Sequence, residues 1–323
     1  MLTLAALENA RDVVGAHMAP TPLYSWPSLN AAMKCEVYVK HENYAPTGSF
    51  KVRSALVYAH HMRKHYHQKT NLIAATSGNQ GLGLAFAARK YGLQVAIVVP
   101  QGTSSEVSDA LQTHGAFVIE HGQSLEEAQE FAASLSEESH KFTVPAFSAE
   151  LVAGTGTYAL ELLRARPKVD AIFVPIGLGT GICGLICARE LLGLKIPIYG
   201  VVAEGADTYA RSFERGALIS VGSTNTFAKG IAVNAPNPEA LAIIRELAED
   251  IIRVSDSQIA EAVRTMFQTT HTLCEGAAAA SLAGLSSHGN KWKGKRVVII
   301  HCGQNIERSQ ISAILQGRTP TPD

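Results

Sequence analysis

The sequence predicts an α/β fold built from two open, mainly parallel sheets with helices on both faces and a ligand cleft between them. Three observations lead there. Short apolar runs alternate with helical patterns along nearly the whole chain. The runs are apolar almost continuously, as strands buried on both faces must be. Four of them break into Gly-, Ser- or Asn-rich turns. "CEVYVKHE" (35–42), "NLIAATS" (71–77), "QVAIVVP" (94–100), "AFVIEH" (116–121), "AIFVPIG" (171–177), "IYGVVAE" (198–204) and "RVVIIHCG" (296–303) are short, β-branched and end in turn residues, so they read as strands. Between them, "GLGLAFAARKYG" (81–92), "SSEVSDALQTHG" (104–115), "SLEEAQEFAASLSEE" (124–138) and "GTGTYALELLRARP" (154–167) read as helices. Strand, helix, strand in series requires right-handed crossovers. One group of units spans 71–148 and another 149–323, with no long linker, low-complexity tract or clean repeat.

Bulk composition narrows the function classes. The chain has 323 residues, 46% hydrophobic, with 28 Lys+Arg against 28 Asp+Glu. A net charge of zero gives no electrostatic reason to expect nucleic acid or an anionic membrane as partner. The N-terminus "MLTLAALENARDVVGAH" lacks the basic flank and long apolar core of a signal peptide, and no apolar run is long enough to span a membrane. The five cysteines are odd in number and scattered, which predicts a reducing, cytoplasmic setting. Cys183 and Cys187, four apart on a predicted helix, read as core thiols. The tail "QGRTPTPD" reads as frayed, and no appended regulatory domain is expected.

The functional turns are expected beyond the carboxyl ends of the strands. "PIGLGTGICG" (175–184) places Gly177, Gly179 and Gly181 between a strand and a helix. Glycines there allow close backbone approach, and free N–H groups at the helix N-terminus favour an anion such as phosphate. A dinucleotide fingerprint also fits, counted as Gly179, Gly181 and Gly184 with Glu204 as the ribose acid. This turn alone does not separate the two. "TSGNQG" (76–81) could hold a carboxylate or a ring hydroxyl through Thr76, Ser77, Gly78, Asn79 and Gln80, or could simply cap a helix. "HCGQN" (301–305) ends the last long apolar strand and carries Cys302. "TGSFK" (47–51) sets an ammonium, Lys51, directly after Phe50. A desolvated lysine amine is a nucleophile and forms Schiff bases with carbonyls, above all with pyridoxal phosphate. Such a cofactor needs a lysine, a phosphate cup and a partner for its pyridine nitrogen, and Lys51, 177–181 and Cys302 would supply them. A dinucleotide would leave Lys51 and "HCGQN" without a task.

Together these segments resemble the fold-type II pyridoxal phosphate enzymes, specifically the serine/threonine dehydratase branch that also contains serine racemase. "HENYAPTGSFKVRSA" resembles its Schiff-base lysine segment, "TSGNQG" its Ser-Ser-Gly-Asn-His turn, "PIGLGTGICG" its glycine-rich phosphate loop, "HCGQN" its Ser/Cys-Gly-Gly-Asn turn and "CEGAAAAS" (274–281) its Glu-Gly-Ala-Gly segment. They occur in family order over about 20–306. The resemblance implies a tryptophan synthase β-like fold, with a large cofactor-binding domain (1–60 and 149–323) and a small domain (71–148). It implies that Lys51 holds the cofactor and moves the Cα proton and that Phe50 flanks the ring. Asn79 would contact the ring hydroxyl, Ser77 and its neighbours would cradle the substrate carboxylate, Gly177, Leu178, Gly179, Thr180 and Gly181 would bind phosphate, and Cys302 would face the pyridine nitrogen. The implied reaction is β-elimination of a small β-hydroxy amino acid such as serine or threonine to a 2-oxo acid and ammonia. Racemisation, with Ser77 as the base on the opposite ring face, is the alternative, as is 3-hydroxyaspartate as main substrate. A homodimer is expected.

The chain departs from the family's pattern in places. Leu178 and Thr180 interrupt the glycines, Gln80 stands where His is frequent, Gln304 replaces a Gly, and Glu106-Val107 stand where a Lys is common. These changes bear on the substrate more than on the cofactor. Glu204 sits where related enzymes place a cation-binding acid, which makes it the candidate for a monovalent or divalent cation, with Asp207 nearby. Glu275 is either a ligand near the cofactor or a charge at a helix N-terminus.

Overall fold

The computed structural model describes residues 2–66, 71–76, 78–139, 141–165 and 168–322. The strands are β1 Leu23–Ser25, β2 Glu36–His41, β3 Asn71–Ala75, β4 Gln94–Val99, β5 Phe117–Glu120, β6 Phe142–Thr143, β7 Ala171–Pro175, β8 Ile198–Ala203, β9 Asp250–Val254 and β10 Arg296–His301. The helices are α1 Leu4–Gly15, α2 Pro27–Met33, α3 Lys51–Tyr66, α4 Asn79–Tyr91, α5 Ser105–Thr113, α6 Leu125–Ser139, α7 Ala149–Ala165, α8 Thr180–Leu191, α9 Thr208–Arg215, α10 Pro238–Leu247, α11 Asp256–Thr270, α12 Gly276–Ser287 and α13 Arg308–Leu315. All seven strands read from the sequence are present.

They form two sheets. One has six strands in the order β1-β2-β10-β7-β8-β9, the other four in the order β5-β4-β3-β6. Every pairing is parallel except β1 on β2. Central strands such as β7 and β8 are buried at every residue, so helices cover both faces. The larger core packs Val37, Phe173, Val201 and Ile299 with α8 and α12. A second core packs Leu72, Val95 and Ile97 with α3 and α4. Parallel order puts the carboxyl ends of β3, β7 and β10 at their following turns, and those turns meet in one cleft.

Helix α7 ties the two cores together. It contributes Tyr158, Leu160 and Leu163 to the larger one and Leu151 and Ala153 to the smaller. It approaches α3 so closely at Gly154 that a Cβ there would lie 2.5 Å from Ser54 Cα and 2.6 Å from the Arg53 carbonyl oxygen. Only a glycine permits that separation.

Candidate active site

Lys51 opens α3, and the preceding turn is laced to the turn after β10. Phe50 N–H donates to the Cys302 carbonyl at 3.0 Å, and Gln304 N–H donates to the Gly48 carbonyl at 2.9 Å. Ser49 and Gly303 form an isolated antiparallel bridge, and the Asn305 amide donates to the Thr47 carbonyl at 2.8 Å. Thus "TGSFK" and "HCGQN" are one structural unit. Their main-chain pairing brings Lys51 and Cys302 to the same cleft from opposite ends of the sequence.

The charge balance in that cleft is tight. Burial lowers the Lys51 pKa, while Cys302 and Glu275 pull it back up. Its Nζ lies 5.0 Å from the centre of the Phe50 ring. Glu275 caps the N-terminal end of α12 without a side-chain capping bond. Its carboxylate instead accepts two hydrogen bonds from Asn79 Nδ2, at 2.9 and 2.8 Å. Burial raises the Glu275 pKa to about 7, against the lowering pull of Asn79 and Lys51. Cys302 Sγ is 3.9 Å from Glu275 Oε1. Burial, reinforced by Glu275, raises the thiol well above its ordinary range, so it stays neutral. His301, its neighbour, points away into an aromatic cluster with His41 at 5.6 Å, as alternation along a strand requires.

The glycine turn after β7 forms the opposite wall. Gly179 has φ +96° and is the N-cap of α8. A Cβ on Gly177 would fall 2.3 Å from the Gly230 carbonyl oxygen, and one on Gly179 2.5 Å from Ala240 Cβ. With side chains excluded, the first-turn N–H groups of α8 are left for an anion. Helix α7 braces this loop as well as the lysine helix. Thr155 Oγ1 donates to the Thr180 carbonyl at 2.8 Å, and the Tyr158 hydroxyl donates to the Gly181 carbonyl at 2.9 Å. Tyr158 also meets the edge of Phe50, with ring centres 6.3 Å apart.

Beneath Lys51 lies a closed ionic cluster. Arg53 is fully buried and donates to Glu42 at 2.7 Å and to Glu161 at 2.7 and 2.9 Å. It also reaches Thr157 and Thr21. Lys40 completes the cluster with Glu161 at 2.5 Å. Two cations face two carboxylates, so no charge is left unpaired. Removing one partner of such a cluster is far costlier than the intact cluster is favourable. Its structural effect is to fix the first turn of α3, and hence Lys51, to β2 and α7.

The cleft measures about 500 Å³. Its lining includes Phe50, Lys51, Thr76, Gly78, Asn79, Gln80, the whole of 177–181 and Cys302. Every predicted cofactor residue is therefore gathered in one place. Ser77 lies outside the described residues. A hollow of equal volume lies at the opposite strand ends, around Lys168, Asp170 and Arg296. It is open, has no glycine-built helix N-terminus and is on the wrong side of a parallel sheet for a ligand. Glu204 is not in the cleft; it is exposed after β8. Asp207 beside it is held by Arg211 at 2.6 Å and Arg253 at 2.9 Å. Among the described residues no group of three or more His, Cys, Asp or Glu side chains could hold a metal ion. The residues that the sequence left unassigned are Thr155, Tyr158 and Asn305, while Glu275 was seen but not linked to Asn79.

A family model described as "Pyridoxal-phosphate dependent enzyme" matches residues 14–303. The chain belongs to the pyridoxal-phosphate dependent enzymes. Among its relatives, an L-threo-3-hydroxyaspartate ammonia-lyase of a Pseudomonas species is 30% identical, covering 92% of this chain and 93% of that protein. A catabolic L-threonine dehydratase of Staphylococcus aureus is 30% identical over 98% of this chain and 92% of its own length. The solved structure of maize serine racemase superposes with a TM-score of 0.90 at 26% identity, covering 98% of this chain and 97% of that one. The fold expected from the sequence is thus the one observed. The site also suits this family's cofactor on its own evidence. A half-buried lysine of lowered pKa faces a helix N-terminus where any Cβ at 177 or 179 would clash, with a neutral thiol beyond it. Among the described residues, no helix is long and apolar enough to cross a membrane.

Proposed function

We propose that this pyridoxal-phosphate dependent enzyme is an ammonia-lyase that dehydrates and deaminates a small β-hydroxy amino acid, serine or threonine in type, to a 2-oxo acid and ammonia. One observation carries the reading: Lys51, the N-terminus of α8 and the Cys302 thiol converge on one cleft. Bound pyridoxal phosphate would supply an electron sink for the charge left when Cα loses its proton. The rest falls to the chain. Lys51 Nζ would hold the cofactor and, as a free amine, take the Cα proton; burial lowers its pKa, which favours the unprotonated base. The N–H groups of 177–181 would hold the phosphate, Phe50 would flank the ring and Asn79 would contact its hydroxyl. The segment Thr76, Ser77, Gly78, Asn79 and Gln80 would hold the substrate carboxylate. Cys302, a neutral thiol, would face the pyridine nitrogen. It would not fix a full positive charge there as a carboxylate would, which suits prompt loss of the β-hydroxyl.

The large domain would comprise 1–60 and 149–323 around the six-stranded sheet, and the small one 71–148 around the four-stranded sheet, with α3 packing between them. Free thiols at all five cysteines agree with a cytoplasmic setting, and a homodimer remains the proposed assembly. A cation near Glu204 is carried forward too, although Asp207 is already committed to arginines. The racemase reading rests on the likeness to maize serine racemase and on Ser77.

Lys51→Ala tests the core of the proposal. Wild type incubated with pyridoxal phosphate should gain an absorbance band near the visible edge and release 2-oxo acid from serine or threonine. The variant should lose the band and at least about a thousand-fold in turnover, consistent with removal of a covalent catalyst. A variant that keeps both would end the assignment. Chiral chromatography of the unreacted amino acid in the same assay separates a lyase from a racemase.

A further inference from the structure

The site holds a side chain that the proposed mechanism leaves without a task. Asn305 lines the cleft at the end of "HCGQN". Its Nδ2 donates to the Thr47 carbonyl at 2.8 Å and to Asn79 Oδ1 at 2.7 Å. Both N–H bonds of that amide are therefore spent, one on the lysine turn and one on the turn after β3. Its carbonyl oxygen lies against Gly48, where a Cβ would come within 2.6 Å of it. Gly48 has φ +71°, so the turn before Lys51 bends around Asn305 in a conformation that favours glycine.

The direction of every bond in this chain of amides is fixed from its Thr47 end. A backbone carbonyl only accepts, so the atom of Asn305 that faces it must be the nitrogen. That nitrogen only donates, so the atom of Asn79 beside it must be the oxygen. Asn79 then turns its own nitrogen to Glu275, where Nδ2 meets both carboxylate oxygens, at 2.9 and 2.8 Å. The two oxygens of one carboxylate subtend a far smaller angle at Nδ2 than its two N–H bonds do. One N–H therefore serves both oxygens, and the second is left to donate into the cleft that Asn79 lines. Glu275 is the weaker of the two anchors. A carboxyl that gains a proton can also donate, and so would tolerate the reversed amide. The Thr47 carbonyl has no such option.

We propose that Asn305 is a positioning residue, which holds the Asn79 amide with its remaining N–H toward the ring hydroxyl of pyridoxal phosphate. The inference rests on the proposed reading that this cofactor occupies the cleft with its hydroxyl on the Asn79 side. The same side chain keeps the lysine turn and the turn after β3 in register, since one nitrogen serves both.

Asn305→Asp tests the inference. The substitution keeps the shape, removes both donors and sets an acceptor against Asn79 Oδ1, which favours the reversed amide. Affinity for pyridoxal phosphate, read by fluorescence titration, is expected to fall by at least about five-fold, the scale of one lost hydrogen bond. The absorbance maximum of the bound cofactor should move to the position it has in Asn79→Ala. In an Asn79→Ala background, Asn305→Asp should cost no more than about two-fold further, because it acts through a side chain that is gone. An equal loss in both backgrounds, or a variant with wild-type affinity and spectrum, overturns the inference and leaves the proposed function standing. Urea midpoints of the cofactor-free chains check folding. If Asn305→Asp does not fold, Asn305→Ala, which removes the same donors without adding a charge, is read in the same comparison. Wild type that gains no absorbance band with pyridoxal phosphate ends the proposed function and the inference with it.

Discussion

At the scale of single residues, Glu275 contributes a pH dependence to the stability of the fold around the cleft. Its pKa in the folded chain is about 7, above the ordinary 4.5 of a free carboxyl. A raised carboxyl pKa means that the folded state keeps a proton which the unfolded chain has already lost. Stability from this group is therefore greatest at acid pH and falls as pH climbs from about 4.5 to about 7, after which the loss is complete. The shift corresponds to roughly 3 kcal/mol. Glu275→Gln, which keeps the shape without the charge, should remove that slope. Urea midpoints of the cofactor-free protein at pH 5 and pH 8 provide the measurement, and a variant as pH-sensitive as wild type would refute the assignment. The sequence left Glu275 either as a ligand near the cofactor or as a charge at a helix N-terminus; it is the N-cap of α12 and lines the cleft. Its bond to Asn79 was illegible, because that contact joins turns from the two sheets and no local pattern encodes it. Lys51 and Cys302 were legible for the opposite reason: each sits in a turn whose composition makes sense only if a ligand is present.

At the scale of elements, α7 works as a spacer between the two halves of the site. One part of it touches the lysine helix at Gly154, and Thr155 and Tyr158 hold the carbonyls of Thr180 and Gly181. Glu161, further along, anchors Arg53. The distance from Lys51 to the glycine turn 177–181 is therefore set by helix α7 rather than by the turns themselves. Gly154→Ala should push α3 and α7 apart, since both atoms it would meet are backbone. A loss of about 1–3 kcal/mol in stability is expected, the usual range for overpacking. More tellingly, pyridoxal phosphate should bind at least about five-fold more weakly, which a fluorescence titration would read. Unchanged affinity would mean that the turns alone set the spacing. From sequence, α7 read as an ordinary helix over 154–167, starting later than its true first residue, Ala149. Seven strands were read because buried parallel strands are apolar throughout; β9, which begins at Asp250 and is interrupted by Arg253, was not read. The two- and three-residue strands β6 and β1 are too short to show any pattern, and both are largely exposed.

At the scale of the whole molecule, the proposed cofactor would bridge the two cores that α7 already ties together. The larger sheet contributes the glycine turn 177–181 and Cys302 to the cleft, and the smaller contributes Asn79 and Thr76. Lys51 stands on a helix whose apolar face belongs to the smaller core while Arg53 beside it is anchored to β2 and α7. A ligand touching both sides binds the folded, closed arrangement and not the unfolded chain, so it stabilises by mass action. At a hundred-fold excess over its dissociation constant the gain is about 2.7 kcal/mol. For a chain of this size that is a rise of roughly 5 °C in Tm, somewhat more if the covalent bond to Lys51 tightens binding. Scanning calorimetry should therefore show the loaded protein melting in one sharper transition above the cofactor-free protein. Lys51→Ala should retain the part of the rise due to phosphate and ring contacts and lose the part due to the covalent link. A Tm indifferent to saturating pyridoxal phosphate would mean that the two cores are coupled by α7 and the ionic cluster alone, with the cofactor a passenger in a cleft already fixed.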